Sequence, residues 1–147
     1  MATTHPGWIA AEHRCTLPRA FESVAAARHS LALTLKEWQM TCMKDPATLA
    51  LSELITNAVL HGRGHVIRMR ISRTLPGLLY LAVVDRAPHD LPRLHTPAAL
   101  ESGGRGLLLV DACSDRWGYD LLGGARPWGK RVWCEFKAEA DSPAAAP

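Results

Sequence analysis

The run from Leu79 to Val84 is apolar at every position, so it has no face to give to water. A strand of that kind belongs in the middle of a sheet with neighbours on both sides. It ends abruptly in Asp85. Just before it, Ile67, Met69 and Ile71 alternate with Arg68, Arg70 and Ser72, the period of a half-exposed strand, and Pro76-Gly77 supplies the turn between the two. A sheet is therefore nucleated here, and its apolar side needs a cover.

Helical patterns provide that cover. Pro18 suits a first helical turn, and Phe21, Val24, Ala25, Leu31, Leu35 and Trp38 follow at steps of three and four, with an end expected between Trp38 and Lys44. Asp45-Pro46 reads as cap and first residue of a second helix running to about His61, with Leu51, Leu54, Ile55 and Ala58 inward and Gly62-Arg63-Gly64 as its stop. A third helix is expected from Leu107 to Val110. An edge strand is expected within Trp8–Leu17, and two more strands over Trp117–Leu121 and Lys130–Lys137. Residues 86 to 102 hold three prolines and no period, which reads as a long loop acting as a mobile lid. One domain is expected over residues 8–137, with a disordered tail over 138–147.

The 147 residues suffice for one core, and 48% hydrophobic with 21% charged residues is ordinary for a globular chain. No apolar run approaches a membrane span, and no secretory signal opens the chain. Cys15, Cys42, Cys113 and Cys134 form no CxxC pair, so a reduced, cytoplasmic protein is expected. The net charge of +3 is scattered along the sequence, and no nucleic-acid motif accompanies it.

Three features carry chemistry. Glu53, Asn57 and His61, four residues apart, align along one helix edge beside the apolar stripe. A lone triplet of that kind is usually a solvated face. Asp85 at a strand end can accept hydrogen bonds from an amino group, or simply terminate the strand or cap a helix. Gly103-Gly104-Arg105-Gly106 before a helix is an anion-binding arrangement: glycines let the backbone approach, the helix start offers N–H groups, and Arg105 adds a guanidinium. It has neither the Lys-Ser/Thr of a Walker loop nor dinucleotide spacing.

In this order the motifs resemble those of the GHKL ATPase superfamily, and within it the small bacterial anti-sigma-factor serine kinases. LSELITNAVLHG (51–62) is similar to the N-box, VVDRAP (83–88) stands at the G1 box, SGGRGLLLV (102–110) is similar to the G2 box, and GKRVWCEF (129–136) to the closing strand. The resemblance spans roughly residues 14 to 137. It implies an α/β two-layer sandwich with a mixed, mostly antiparallel sheet and helices on one face. It implies ATP and Mg²⁺ as cofactors, with Asn57 as Mg²⁺ ligand and Glu53 as general base on a water or a protein serine hydroxyl. Asp85 would read the adenine amine. Gly103, Gly104, Arg105 and Gly106 would wrap the phosphates, Leu107 would follow them into the helix, and Lys130 would help line the site. His61 would either approach the phosphates or support the helix end. The implied partners are a sigma factor and an anti-anti-sigma-like protein, with homodimerisation open and neither nucleic acid nor membrane contacted directly. A non-catalytic, nucleotide-dependent binding module is the alternative. The G1 position departs from Asp-x-Gly-x-Gly, since Arg86-Ala87-Pro88 follows Asp85 without either glycine, so the loop there must take another shape.

Overall fold

The computed structural model describes residues 9–74, 77–92 and 106–138. Five strands form one sheet: β1 (Ile9–Pro18), β2 (Val66–Thr74), β3 (Leu78–Asp85), β4 (Arg116–Leu122) and β5 (Gly129–Lys137), in the spatial order β1-β2-β3-β5-β4. Every pairing among the described residues is antiparallel. The doubly apolar strand β3 is indeed the middle one, and β1 is an edge. Gly77, at φ 87°, turns the chain between β2 and β3, its N–H donating to Thr74 O at 3.0 Å; Pro76 lies outside the described residues.

Among the described residues three helices lie on one face of this sheet: α1 (Glu22–Glu37), α2 (Lys44–His61) and α3 (Gly106–Cys113), with α2 packed against both others. The result is the α/β sandwich the motifs imply. Ile67, Met69 and Ile71 of β2, Leu79, Leu81 and Val83 of β3, and Val132, Cys134 and Phe136 of β5 point into the helices and are buried with Leu31, Leu35, Leu51, Leu54 and Ile55. The period-2 alternation of each strand selects these residues and leaves their neighbours on the opposite face.

The helix boundaries correct the reading in three places. Pro18 closes β1 instead of opening α1, and Phe21 and Ala25 of the expected stripe are exposed. Ser23 and Ala27 take their place inside, because small residues let α1 sit close. Ser23 is satisfied by donating its hydroxyl to Pro18 O at 2.6 Å. Asp45 does not cap α2. A 3₁₀ turn at Thr41–Met43 leads straight into Lys44, which leaves Asp45 within the first turn, where its charge complements the helix dipole.

Helix α1 ends without glycine. Gln39 takes the left-handed conformation at φ 58°, with Met40 N donating to Leu35 O at 2.8 Å and Gln39 N to Lys36 O at 3.2 Å. This double bond pattern is a Schellman motif, normally closed by glycine. The expected lid lies outside the described residues from 93 to 102, as does the expected tail from residue 139.

Candidate functional site

The sheet order places the end of β3 beside the start of β5, so Asp85 pairs directly with Lys130. Both side chains are almost fully buried, at 4% and 5% exposure. The Lys130 ammonium donates to Asp85 Oδ1 and to Ala87 O, each at 2.9 Å, and Ala87 N donates to the same Asp85 oxygen at 2.8 Å. Asp85 therefore ends the strand and caps the turn after it rather than a helix, and Lys130 stitches the glycine-free 86–88 segment to the sheet. Among the described residues Asp85 Oδ2 has no partner, and one of the three ammonium N–H donors of Lys130 remains.

Two glycines make this closeness possible. A Cβ on Gly129 would stand 2.5 Å from Asp85 O. One on Gly62, the residue that ends α2, would meet Ala58 O at 2.3 Å and Asp85 Cβ at 3.1 Å. Helix end and strand start both press against Asp85, so any side chain at either position would push them away.

A cavity of about 150 Å³ opens beside the pair. Its wall brings together Asn57 and His61 of α2, Asp85 of β3, Leu107 of α3 and Lys130 of β5, five of the residues singled out in the sequence. Asn57 and His61 reach it because the i, i+4 spacing holds them on one edge of α2. His61 is half-exposed, and its Nδ1 lies 3.4 Å from Asp90 Oδ2 at the rim. The apolar wall comes from Leu54, Ala58, Val83 and Val132. Asp90, Leu91 and Pro92 also line the cavity. Sequence reasoning had placed these last three only in a long loop; the Ala87–Asp90 turn, with Asp90 N donating to Ala87 O at 3.3 Å, folds them back over the opening.

Glu53 is not part of this wall. It lies one turn earlier on α2, toward the end of α3, where burial pushes the Cys113 thiol pKa up and the Glu53 charge raises it further. Gly103, Gly104 and Arg105 lie outside the described residues; Gly106 is the first residue of α3. Among the described residues no group of three or more His, Cys, Asp or Glu side chains forms a metal cluster. A hard cation here would depend on the amide oxygen of Asn57 and on oxygens brought by a phosphorylated ligand, a donor set that suits Mg²⁺. No described helix is long and apolar enough to cross a membrane.

Comparison with known proteins places these features in a family. A family model described as the histidine kinase-like ATPase domain matches residues 17–134. An uncharacterized protein of Streptomyces coelicolor is 33% identical over 91 residues, covering 60% of this chain and 83% of the relative.

Proposed function

The chain belongs to the histidine kinase-like ATPase domain family, and from that premise we propose that it is an anti-sigma-factor-type protein serine kinase. It would hold a sigma factor and phosphorylate an antagonist of the anti-anti-sigma type. ATP binding is the family's common property. The observation that carries the finer reading is the single cavity wall shared by Asn57, Asp85 and Lys130, with Glu53 one turn behind Asn57 on the same helix edge.

Each residue has a task that its chemistry permits. Asp85 Oδ2 would accept a hydrogen bond from an exocyclic amine, and Lys130 would keep the carboxylate in place for it. Leu54, Ala58, Val83 and Val132 exclude water from the ring faces. Asn57 offers a neutral oxygen to Mg²⁺, and His61 stands at the rim with Asp90. When bound, ATP with Mg²⁺ supplies the phosphoryl group and neutralises its charge. Glu53 would take the proton of a serine hydroxyl presented by the partner.

A second reading, a regulator that binds partners according to nucleotide without transferring phosphate, is favoured by the position of Glu53 outside the cavity wall. Calorimetry with ATP and Mg²⁺, followed by labelled-ATP assays on partners recovered by pull-down, separates the two. For the kinase, Glu53→Ala loses ~10²–10⁴-fold in transfer with ATP affinity retained, and Asn57→Ala loses Mg²⁺-dependent binding. A wild-type chain that holds its partner in an ATP-dependent way yet transfers nothing is the binding module. Absence of ATP binding at millimolar concentration removes both.

A further inference from the structure

The strands also carry a built surface on the face away from the helices. Strand register arranges its side chains in rows. One row reads Thr16, Arg68, Val84, Arg131, Asp120; the next reads Arg14, Arg70, Ala82, Trp133 and Gly118. Arginines that are scattered through the sequence are thus gathered on one face from β1, β2 and β5, with the arginine-free β3 between β2 and β5. Their carboxylate partners are displaced to the margin. Glu12 holds Arg14 and Arg70 from the following row, at 2.6 and 3.2 Å, and Asp120 holds Arg131 from the far strand at 3.3 Å. Arg68 has no hydrogen-bond or ion-pair partner among the described residues.

Between these rows runs a groove of about 370 Å³. Arg14, Arg68, Arg70 and Arg131 line it, Ala82 and Val84 form a low apolar floor, and Trp128 closes one end with 48% of its surface exposed. Among the described residues no carboxylate lines it. Arg68 and Arg131 flank Val84 two strand spacings apart, about 10 Å.

We propose that this groove is a docking site for an acidic segment of a partner protein, with carboxylates spread to Arg68 and Arg131 and an apolar side chain set on Val84 against Trp128. The charge of the lining is of one sign, arginine forks match carboxylates bidentately, and an exposed tryptophan beside them has the composition of an interface anchor. A second copy of the chain does not fit, because a two-fold contact here would set arginine against arginine. The groove is on the opposite face from the nucleotide cavity, so the proposal does not depend on that reading.

The test is fluorescence anisotropy of a short dye-labelled peptide alternating glutamate and leucine, titrated with the full chain. We expect saturable binding that weakens with salt, a shift in tryptophan emission that Trp128→Phe abolishes, and at least ~10-fold loss of affinity for Arg68→Glu. Unchanged circular dichroism shows that this exposed substitution leaves the fold intact. No binding by wild type, or equal binding by folded Arg68→Glu, overturns the proposal. Tighter binding of a single-stranded DNA oligonucleotide of the same charge also overturns it and assigns the groove to nucleic acid.

Discussion

The two faces of the sheet are built from the same strands yet handle charge in opposite ways. Toward the helices, β3 and β5 bring one ion pair, Asp85–Lys130, into an apolar wall and tie it by three hydrogen bonds to a single turn. On the other side, one residue along each strand, four arginines pair with the three carboxylates Glu12, Asp120 and Glu135, and Tyr80 stacks on Trp133 with ring planes inclined by 23°. Arg116 sits over the Trp133 ring at 5.6 Å, so on this face the guanidiniums themselves shelter the aromatics. A buried pair is strong through geometry and fragile to the loss of either member. On the other face Asp120 and Glu135 are buried too, but each paired arginine keeps between 21% and 67% of its side chain in water, so its loss is less costly.

The largest effect expected from this contrast is at Lys130. Lys130→Met leaves Asp85 charged and buried, and should cost roughly 3–5 kcal/mol in chemical unfolding. Adding Asp85→Asn should restore part of that loss, because the amide still accepts from Ala87 N without leaving a charge. Equal loss in single and double variants would break the contrast, since packing alone would then matter.

The open face has its own buried titratable group. Burial pushes the Tyr80 phenol pKa up from 10.0 to about 12, outweighing the lowering by Arg131 and Arg70. A raised pKa favours the fold while the phenol is protonated. That contribution is complete below pH 10 and disappears as pH rises through about 12. In a Tyr119→Phe background, which leaves Tyr80 as the one tyrosine, ultraviolet difference spectra should show the tyrosinate appearing together with unfolding. Tyrosinate formed at pH 10 in a folded chain would mean that the arginine cover is permeable.

Smaller effects sharpen the comparison within a single strand. Ile71→Val on the helix side should cost ~0.5–1.5 kcal/mol, and Arg68→Ala, three residues away on the other face, less than ~0.5 kcal/mol. Glu12→Gln should be weakest. Burial raises the Glu12 pKa, but Arg14 and Arg70 outweigh that and hold it below the ordinary range. Its contribution is therefore present above pH ~4.5 and lost as pH falls through the lowered value. The acid midpoint of the variant should move only slightly.

Much of this organisation was legible in the sequence because it rests on periodicity. The strand alternations selected the covered face, and the i, i+4 spacing of Asn57 and His61 placed both on the cavity wall. What escaped were features that depend on chain segments meeting. Lys130 could be assigned to the site by its motif, but its bonds to Asp85 and Ala87 require the β3–β5 register. Asp90, Leu91 and Pro92 lack any period, and only the turn after Ala87 brings them over the cavity. Gln39 closes α1 where glycine was the signal to look for, and Ser23 packs inward because a local carbonyl satisfies its hydroxyl. The basic groove was hidden for the same reason: scattered arginines converge only once strand order is known.

The meeting of Gly62, Asp85 and Gly129 has a consequence for how the chain matures. The end of α2, the end of β3 and the start of β5 are widely separated along the polypeptide, and their contacts carry a high loop-closure cost. A nascent chain that has emerged only as far as β4 holds Asp85 without Lys130, and its 86–88 segment has nothing to fasten it. The cavity wall is completed only once β5 has left the ribosome. Ligand capture at this cavity therefore reports on the finished sheet and stabilises the whole domain rather than one corner of it.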